Sequence, residues 1–327
     1  MDDFLRVTDR TGPELAALAE RAAELATLFK ARRLPPTLTG RRIGMWWDGP
    51  GFRNRVAFEL GATALGATVV GIPGPLADRE PLADRARYLD NWLDAVVVRT
   101  PLLADLDRLA EAAEAPIVNA RTTDNHPCEI LGDLAFSNAH GHPVDQPLHL
   151  VFVGAAGNLH RSWMAAAQVL PITVTHVCPL GYEGGELDGV TVVRTLADAP
   201  LENADIVYTD CWPQADTGAH ADTWPQADTG AHADCRPQAD TGADACAATE
   251  GAGGAGGDDV AERFGPLRIT AAVLDRCRPE ALFLPCPPVT RGQEVDDDAL
   301  AHPICRVIEA KAWLLHAQNA LLVSILT

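Results

Sequence analysis

The stretch WWDGPGFRNRVAFELGATALGATVVGIP, residues 46–73, predicts a strand, a tight turn, a helix and a second strand. Arg53 and Arg55 fall in the first turn of that helix, although arginine is more favourable near a helix C-terminus. A bound anion such as phosphate would explain them, because a glycine turn and a helix N-terminus offer free backbone N–H groups. Two surface arginines paired with neighbouring acids explain the pattern equally well.

Apolar strand-like runs alternate with helical patterns along most of the chain. The alternation runs to about residue 140, breaks at a loop rich in Gly, His and Pro (140–148), and then starts again. This pattern is typical of parallel sheets covered by helices on both faces. We therefore predict an α/β protein with two doubly wound parallel-sheet domains.

One segment does not fit this alternation. A 12-residue unit of the type DCWPQADTGAHA repeats from Asp210 to Ala245, and a Gly- and Ala-rich stretch follows to 258. Its composition cannot bury a core, so we predict a low-complexity loop over 210–258. His220 and His232 stand beside aspartates and could bind a metal, but expansion of a tandem repeat into a solvated loop explains them without one, and we favour that explanation.

Charge and cysteine usage restrict the class of protein. The net charge of −19 over 327 residues argues against nucleic acid and anionic membranes as main partners. We see no signal peptide and no apolar run long enough to span a membrane. The eight cysteines are scattered and form no C-x-x-C pair, which suits reduced thiols in the cytoplasm better than disulfides or a zinc site.

Polar, cationic or thiol side chains follow the predicted strands. Ligands of open α/β sheets bind at the carboxyl ends of the strands, so these side chains are candidate site residues. Each has a plainer explanation, since His126 and Asn158 would also serve as helix caps and a buried cysteine is more often packing. In chain order the candidates are Arg99, His126, Asn158, Asp210, Cys286 and Arg291.

This order of motifs resembles the aspartate/ornithine carbamoyltransferase family, most closely its ornithine branch. The family's phosphate loop, Ser-Thr-Arg-Thr-Arg, corresponds to GFRNR, and its His-Pro-Cys-Gln corresponds to His126-Pro127-Cys128-Glu129. The other matching segments are VAFE at 56–59, AAGN at 155–158, TDCW at 209–212, PCPPVTRGQEV at 285–295 and LHAQNALL at 315–322. The resemblance implies that the C-terminal helix packs back on the first domain. We therefore expect one domain at 1–140 plus 305–327, which binds carbamoyl phosphate, and an amino-acid-binding domain at 141–304.

The resemblance also implies roles for individual residues. Arg53 and Arg99 would hold the phosphate and carbonyl oxygen of carbamoyl phosphate, while His126 polarises the carbonyl. Asn158 and Asp210 would hold the α-carboxylate and α-amino groups of an ornithine-like amino acid. Further substrate-binding positions are Gly51, Phe52, Asn54, Glu129 and Arg291, and Cys286 would lie near the attacking amine. We expect no cofactor and no metal, and the family is commonly a homotrimer.

Several positions depart from the family's pattern. Gly51, Phe52 and Asn54 replace the serine and two threonines of the phosphate loop, and Glu129 replaces a glutamine. An ionised glutamate only accepts hydrogen bonds and brings negative charge near a phosphate. The family's C-terminal helix usually carries an arginine that reaches the site, and Leu314 stands there.

These departures leave three hypotheses open. The first is a divergent carbamoyltransferase that acts on an ornithine-like amine. The second is a non-catalytic ligand-binding or scaffold protein that keeps the fold. The third is an enzyme of the same fold with a different donor or the reverse reaction, for which Glu129 is the only support.

Overall fold

The structure is a computed structural model that describes residues 3–76, 78–185, 189–213 and 257–327. Most of the predicted 210–258 loop, with His220 and His232, therefore lies outside the described residues. The described part contains two parallel sheets with helices around them, as the alternating pattern predicts.

The first sheet has the strand order β2-β1-β3-β4, and every neighbouring pair is parallel. Its central strand β3 is buried along its whole length, which explains its unbroken apolar run ahead of Arg99. The strands are β1 (Arg42–Trp47), β2 (Thr68–Ile72), β3 (Ala95–Arg99) and β4 (Ile117–Arg121).

Helices connect these strands, and their N-termini follow local sequence signals. Thr11 and Glu14 form a capping box at the start of the first helix, and Pro127 occupies the first turn of the fifth. The helices are α1 (Gly12–Lys30), α2 (Phe52–Ala64), α3 (Leu82–Asp90), α4 (Leu103–Ala112) and α5 (Pro127–Ala139).

The second sheet has the order β7-β6-β5-β8-β9 and is parallel throughout. Strand β5 pairs with both β6 and β8, so the strand order reverses beside it. Its strands are β5 (Leu148–Val153), β6 (Ile172–Val177), β7 (Val190–Val193), β8 (Ile206–Thr209) and β9 (Leu282–Pro285).

The C-terminal helix returns to the first sheet's side of the molecule, as the family resemblance implies. The second set of helices is α6 (Asn158–Val169), α7 (Gly257–Phe264), α8 (Ala271–Leu274), α9 (Asp297–Leu300) and α10 (Val307–Leu326). Helix α10 packs against α1, α2 and α5. Two glycines permit these contacts, because a Cβ on Gly61 would collide with Asn319 and one on Gly132 would lie 2.9 Å from Leu314 Cδ2.

One hydrophobic core runs from the first sheet to the second. It joins Met45 and Val97 of the first sheet to Leu150 and Leu284 of the second through buried side chains of α5 and α6. The alternating sequence pattern is therefore interrupted near residue 140, but the hydrophobic core continues from one sheet to the other. The two sheets can present their strand ends to a common space.

Candidate active site

A cavity of about 430 Å³ lies where the carboxyl ends of strands from both sheets meet. Each predicted site residue except Arg291 lines it. Its wall is contributed by the loop after β1, the ends of β3 and β4, the first turns of α2, α5 and α6, and the segments after β8 and β9. The lining residues are Pro50, Gly51, Phe52, Arg53, Asn54, Arg99, Arg121, His126, Glu129, Asn158, Leu159, Asp210, Cys211, Cys286, Pro287 and Pro288.

The glycine of the loop after β1 is required by both its backbone and its neighbour. Gly51 has φ = +134°, a conformation that side-chain-bearing residues rarely adopt. A Cβ on Gly51 would lie 2.5 Å from the guanidinium carbon of Arg99. Arg99 therefore uses the space that a serine would fill, and its guanidinium approaches the N-terminus of α2 directly.

The two arginines of the α2 first turn have different roles in the structure. Arg53 lines the cavity and stacks its guanidinium on the ring of Phe52, 4.9 Å from the ring centroid. Arg55 instead pairs on the surface with Glu59, with Nε 2.7 Å from Oε1. The anion explanation therefore fits Arg53, and the surface-pair explanation fits Arg55.

His126 precedes α5 and is buried as a neutral imidazole. Its backbone N–H donates to Ser162 Oγ at 2.8 Å, and its ring Nε2 lies 3.5 Å from both Asn54 Nδ2 and Glu129 Oε2. Burial, with further help from nearby cations that include Arg99, lowers the pKa of His126 to about 3. At neutral pH the ring carries one N–H and can donate a hydrogen bond without bringing a charge.

Glu129 points into the cavity as an ionised carboxylate. Its Oε2 accepts from Asn54 Nδ2 at 2.9 Å, and its Oε1 lies 2.8 Å from Lys311 Nζ. Burial alone would raise the pKa of Glu129, but Lys311, with smaller effects of His126 and the Asn54 hydrogen bond, lowers it to about 2. The negative charge expected from the sequence is therefore present. Lys311, which does not itself line the cavity, neutralises it.

Lys311 is a residue that the sequence analysis missed. It lies on α10, three residues before Leu314, and Leu314 itself is buried against Gly132 of α5. Leu314, at the position expected to hold an arginine, therefore packs in the core. Lys311, one helical turn earlier, supplies a cation to Glu129 instead. The signal in the sequence was a single lysine in a helix that is mainly apolar.

Arg121 is a second cavity residue that the sequence analysis missed, although the apolar run APIVNA at 115–120 predicts a strand directly before it. In the structure Arg121 is the last residue of β4 and lines the cavity with Arg53 and Arg99. Three guanidinium groups thus face a space that also holds two carboxylates, Glu129 and Asp210.

The second sheet supplies the opposite wall of the cavity. Asn158 starts α6 and donates from Nδ2 to the carbonyl oxygen of Thr122 at 2.9 Å. Asp210 follows β8, and its Oδ1 accepts from the backbone N–H of Cys211 at 2.8 Å. The structure therefore brings the candidate acceptor residues to the same space as the arginines and His126.

Cys286 and Arg291 occupy different environments. Cys286 lines the cavity with a buried thiol 3.7 Å from Glu129 Oε1, and burial raises its pKa well above the ordinary value, so it is a neutral thiol. Arg291 lies outside the cavity, where its side chain pairs with Asp297 at the surface. The buried residue of that segment is Glu294, which accepts from the backbone N–H groups of Trp212 and Thr290 at 2.7 and 2.6 Å.

Comparison with known proteins identifies the family. The model of the aspartate/ornithine carbamoyltransferase carbamoyl-P binding domain matches residues 2–138, and that of the family's Asp/Orn binding domain matches 254–325. An ornithine carbamoyltransferase of Halorhodospira halophila is 30% identical over 98% of each chain. The chain belongs to the aspartate/ornithine carbamoyltransferase family. A further ornithine carbamoyltransferase of this family, from a Psychrobacter species, is 29% identical over 98% of this chain and 95% of its own.

Solved structures of the family have the same fold. Ornithine carbamoyltransferase from Pyrococcus furiosus superposes with a TM-score of 0.79 at 25% identity, over 98% of this chain and 95% of that one. The enzyme from Burkholderia thailandensis superposes with a TM-score of 0.79 at 23% identity, over 100% of this chain and 99% of that one. The two-domain α/β fold predicted from the sequence is thereby confirmed.

In the part of the chain that the structure describes, no helix is long and apolar enough to cross a membrane. The same residues contain no group of three or more His, Cys, Asp or Glu side chains arranged to hold a metal ion.

Proposed function

We propose that this protein transfers the carbamoyl group of carbamoyl phosphate to the amine of ornithine or an ornithine-like amino acid, giving a ureido product and phosphate. The observation that carries the proposal is the meeting of Arg53, Arg99 and neutral His126 at one cavity with the N-terminus of α2. Membership of a carbamoyltransferase family supports it.

The donor would bind against the first sheet. Free N–H groups of the α2 first turn, together with Arg53 and Arg99, offer hydrogen bonds and positive charge to the phosphate. The N–H of neutral His126 would donate to the carbonyl oxygen and stabilise the charge that develops there. Arg99 and His126 are buried, which restricts their movement before the substrate binds.

The acceptor would bind against the second sheet. Asn158 would hold the α-carboxylate of the amino acid and Asp210 its α-ammonium group. The free side-chain amine attacks the carbonyl carbon, the bond from that carbon to the phosphate oxygen breaks, and phosphate leaves with the electron pair. The nitrogen then loses a proton to the departing phosphate. The neutral thiol of Cys286 would contact the attacking amine without forming a covalent bond.

Turnover of carbamoyl phosphate with ornithine, measured as ureido product and phosphate, tests the proposal. We expect Arg53→Ala and His126→Ala each to lower the rate by at least about 100-fold, because both groups act on the developing charge. Arg55→Ala is the matched control, since the same residue type two positions away pairs with Glu59 and should leave turnover unchanged.

A calorimetric titration with carbamoyl phosphate separates binding from chemistry. Saturable binding lost in Arg53→Ala but kept in Arg55→Ala would support the donor site. Binding without turnover of ornithine or related amines would favour the non-catalytic hypothesis. Absence of binding in the folded wild type would overturn the proposed donor.

We also propose that the protein is a homo-oligomer, a trimer by family resemblance. Val56 and Leu60 lie one turn apart on α2 and are 54% and 50% exposed, and Phe52 continues the same apolar row at 69%. The double variant Val56→Lys/Leu60→Lys should dissociate the assembly in sedimentation velocity. A wild-type protein that sediments as a monomer at micromolar concentration would contradict this proposal.

A further inference from the structure

A chain of buried polar contacts runs behind the donor side of the cavity. Gln318 Nε2 donates to Asn54 Oδ1 at 2.7 Å, and Asn54 Nδ2 donates to Glu129 Oε2 at 2.9 Å. Lys311 Nζ lies 2.8 Å from Glu129 Oε1 and 2.9 Å from Asp133 Oδ1. The chain joins α10, α2 and α5, so three helices fix the orientation of one cavity-facing carboxylate.

The two carboxylates that share Lys311 have different surroundings. Asp133 does not line the cavity, and its Oδ2 also accepts from Tyr208 Oη at 2.9 Å. Burial raises the pKa of Asp133, whereas the pKa of Glu129 is lowered, chiefly by Lys311. Lys311 contacts both carboxylates, and its charge keeps Glu129 ionised, so Glu129 offers only acceptor atoms to a ligand.

The groups around Glu129 leave it no other cation at hydrogen-bond distance among the described residues. His126 is neutral, Asn54 is an amide and Cys286 is a neutral thiol. Without Lys311 the carboxylate would be a buried unpaired charge, which proteins avoid by taking up a proton. Lys311 itself does not line the cavity, so its effect on a ligand passes through Glu129.

We propose that Lys311 is a positioning residue that holds Glu129 as an acceptor-only carboxylate, so that the site selects acyl phosphates whose acyl carbon carries an N–H group. This inference rests on the proposed function, because it names the part of the donor that Glu129 recognises. A carbamoyl NH2 donates to the carboxylate. An acetyl phosphate would place a methyl group of similar size against an unsatisfied charge.

Two stable analogues isolate this contact. Phosphonoacetamide carries an amide NH2, and acetonylphosphonate carries a methyl group in its place, while both keep the carbonyl and the phosphonate. In calorimetric titrations at pH 7.5 we expect the wild type to bind phosphonoacetamide about 10- to 100-fold more tightly, the value of a hydrogen bond to a charged group. Arg53→Ala should weaken the binding of both analogues by the same factor, since Arg53 would contact the phosphonate that they share.

The chain offers a matched control for the lysine, because it contains two lysines, Lys30 and Lys311. Lys311→Met should reduce the preference for the amide to less than about 3-fold, since Glu129 then takes up a proton and presents an O–H donor as well. Raising the pH to 9 should partly restore the preference in this variant by ionising Glu129. Lys30→Met, the same change at the exposed end of α1, should keep the wild-type preference.

Lys311→Met leaves two buried carboxylates without their cation, so it is paired with a second variant. Glu129→Gln/Lys311→Met leaves one buried carboxylate, Asp133, which can take up a proton beside Tyr208. This variant should fold, with a preference between those of the wild type and Lys311→Met. If Lys311→Met kept the wild-type preference for phosphonoacetamide at every pH, the inference would be overturned. If Lys311→Met did not fold, the same preference in the double variant would overturn it. Equal binding of the analogues by the wild type overturns it while the proposed function stands, and absence of binding of either overturns both.

Discussion

At residue 51, the lack of a side chain decides where the Arg99 guanidinium lies. Gly51 combines a positive φ with an arginine in the space of its missing Cβ. We predict that Gly51→Ser, which introduces the family's usual residue, displaces Arg99 and weakens carbamoyl phosphate binding at least about 10-fold, the loss of one charge-assisted contact. Calorimetric titration of the variant with carbamoyl phosphate measures the effect.

Gly40→Ser is the control for backbone strain alone. Gly40 also has a positive φ, +83°, but a Cβ there would have no atom within 4 Å. Both variants should lose about 1–2 kcal/mol of stability from the strained φ. If Gly40→Ser weakened ligand binding as much as Gly51→Ser, the displacement of Arg99 would not be the cause.

The site residues found from the sequence share one property, which the missed residue Lys311 lacks. Arg99, His126 and Asp210 follow apolar runs that end at the carboxyl edge of a sheet, so strand geometry alone locates them. Arg121 has this property too, as the last residue of β4. Lys311 lies inside a helix and approaches Glu129 only because α10 returns to the first sheet's side of the molecule. That contact joins residues far apart in sequence, and no local pattern encodes it.

The same distinction holds for secondary-structure elements. Buried strands such as β3 and amphipathic helices such as α1 appear where the apolar period predicts them. The ends of helices differ from the pattern. The helical run PLLADLDRLAEAAE at 101–114 predicts a helix from Pro101, but α4 is Leu103–Ala112, and a helix predicted near 270–277 is confined to Ala271–Leu274. Capping and short turns set these ends, and their energies are too small for the apolar pattern to reveal.

The contact between α2 and α10 depends on a single glycine. A Cβ on Gly61 would collide with the side-chain amide of Asn319, whose Oδ1 and Nδ2 have no hydrogen-bond partner in the described structure. We predict that Gly61→Ala lowers the free energy of unfolding by about 1–3 kcal/mol, as overpacking does. Urea denaturation measures the loss.

The companion variant is Asn319→Ala, which removes the colliding group. In that background Gly61→Ala should leave the free energy of unfolding unchanged or raise it by about 1 kcal/mol, because alanine has a higher helix propensity than glycine. The two substitutions would then be strongly non-additive. Additive costs would mean that the backbones of α2 and α10, and not Asn319, set the limit.

For the whole molecule, net charge and site charge have opposite signs. The chain carries −19, yet its cavity faces three arginines. The net charge argues against polyanionic partners at the surface, because surface charge acts over a Debye length. Net charge does not predict whether a small anion binds to a few arginines in a cavity, because only the fold brings those arginines together.

Buried neutral histidines make the stability of the whole molecule dependent on pH. The rings of His160 and His176 contact each other with centroids 4.1 Å apart and planes tilted by 36°, and neither ring nitrogen of His160 has a hydrogen-bond partner among the described residues. Burial, helped by His176 and Arg161, lowers the pKa of His160 to about 3, from an unfolded value of 6.5. Between these values the unfolded chain binds the proton more readily, so acidification below pH 6.5 favours unfolding.

We predict that His160→Phe removes roughly 2 kcal/mol of the stability that the wild type loses between pH 7 and pH 5, the amount expected for one such histidine. At pH 7 the variant should be as stable or more so, because a buried imidazole without partners is replaced by an apolar ring. Urea denaturation at both pH values measures the difference. Phe152→Leu changes the packing beside His160 without removing a titratable group, so it should lower stability equally at both. An unchanged pH dependence in His160→Phe would show that His160 gains its proton without unfolding the protein.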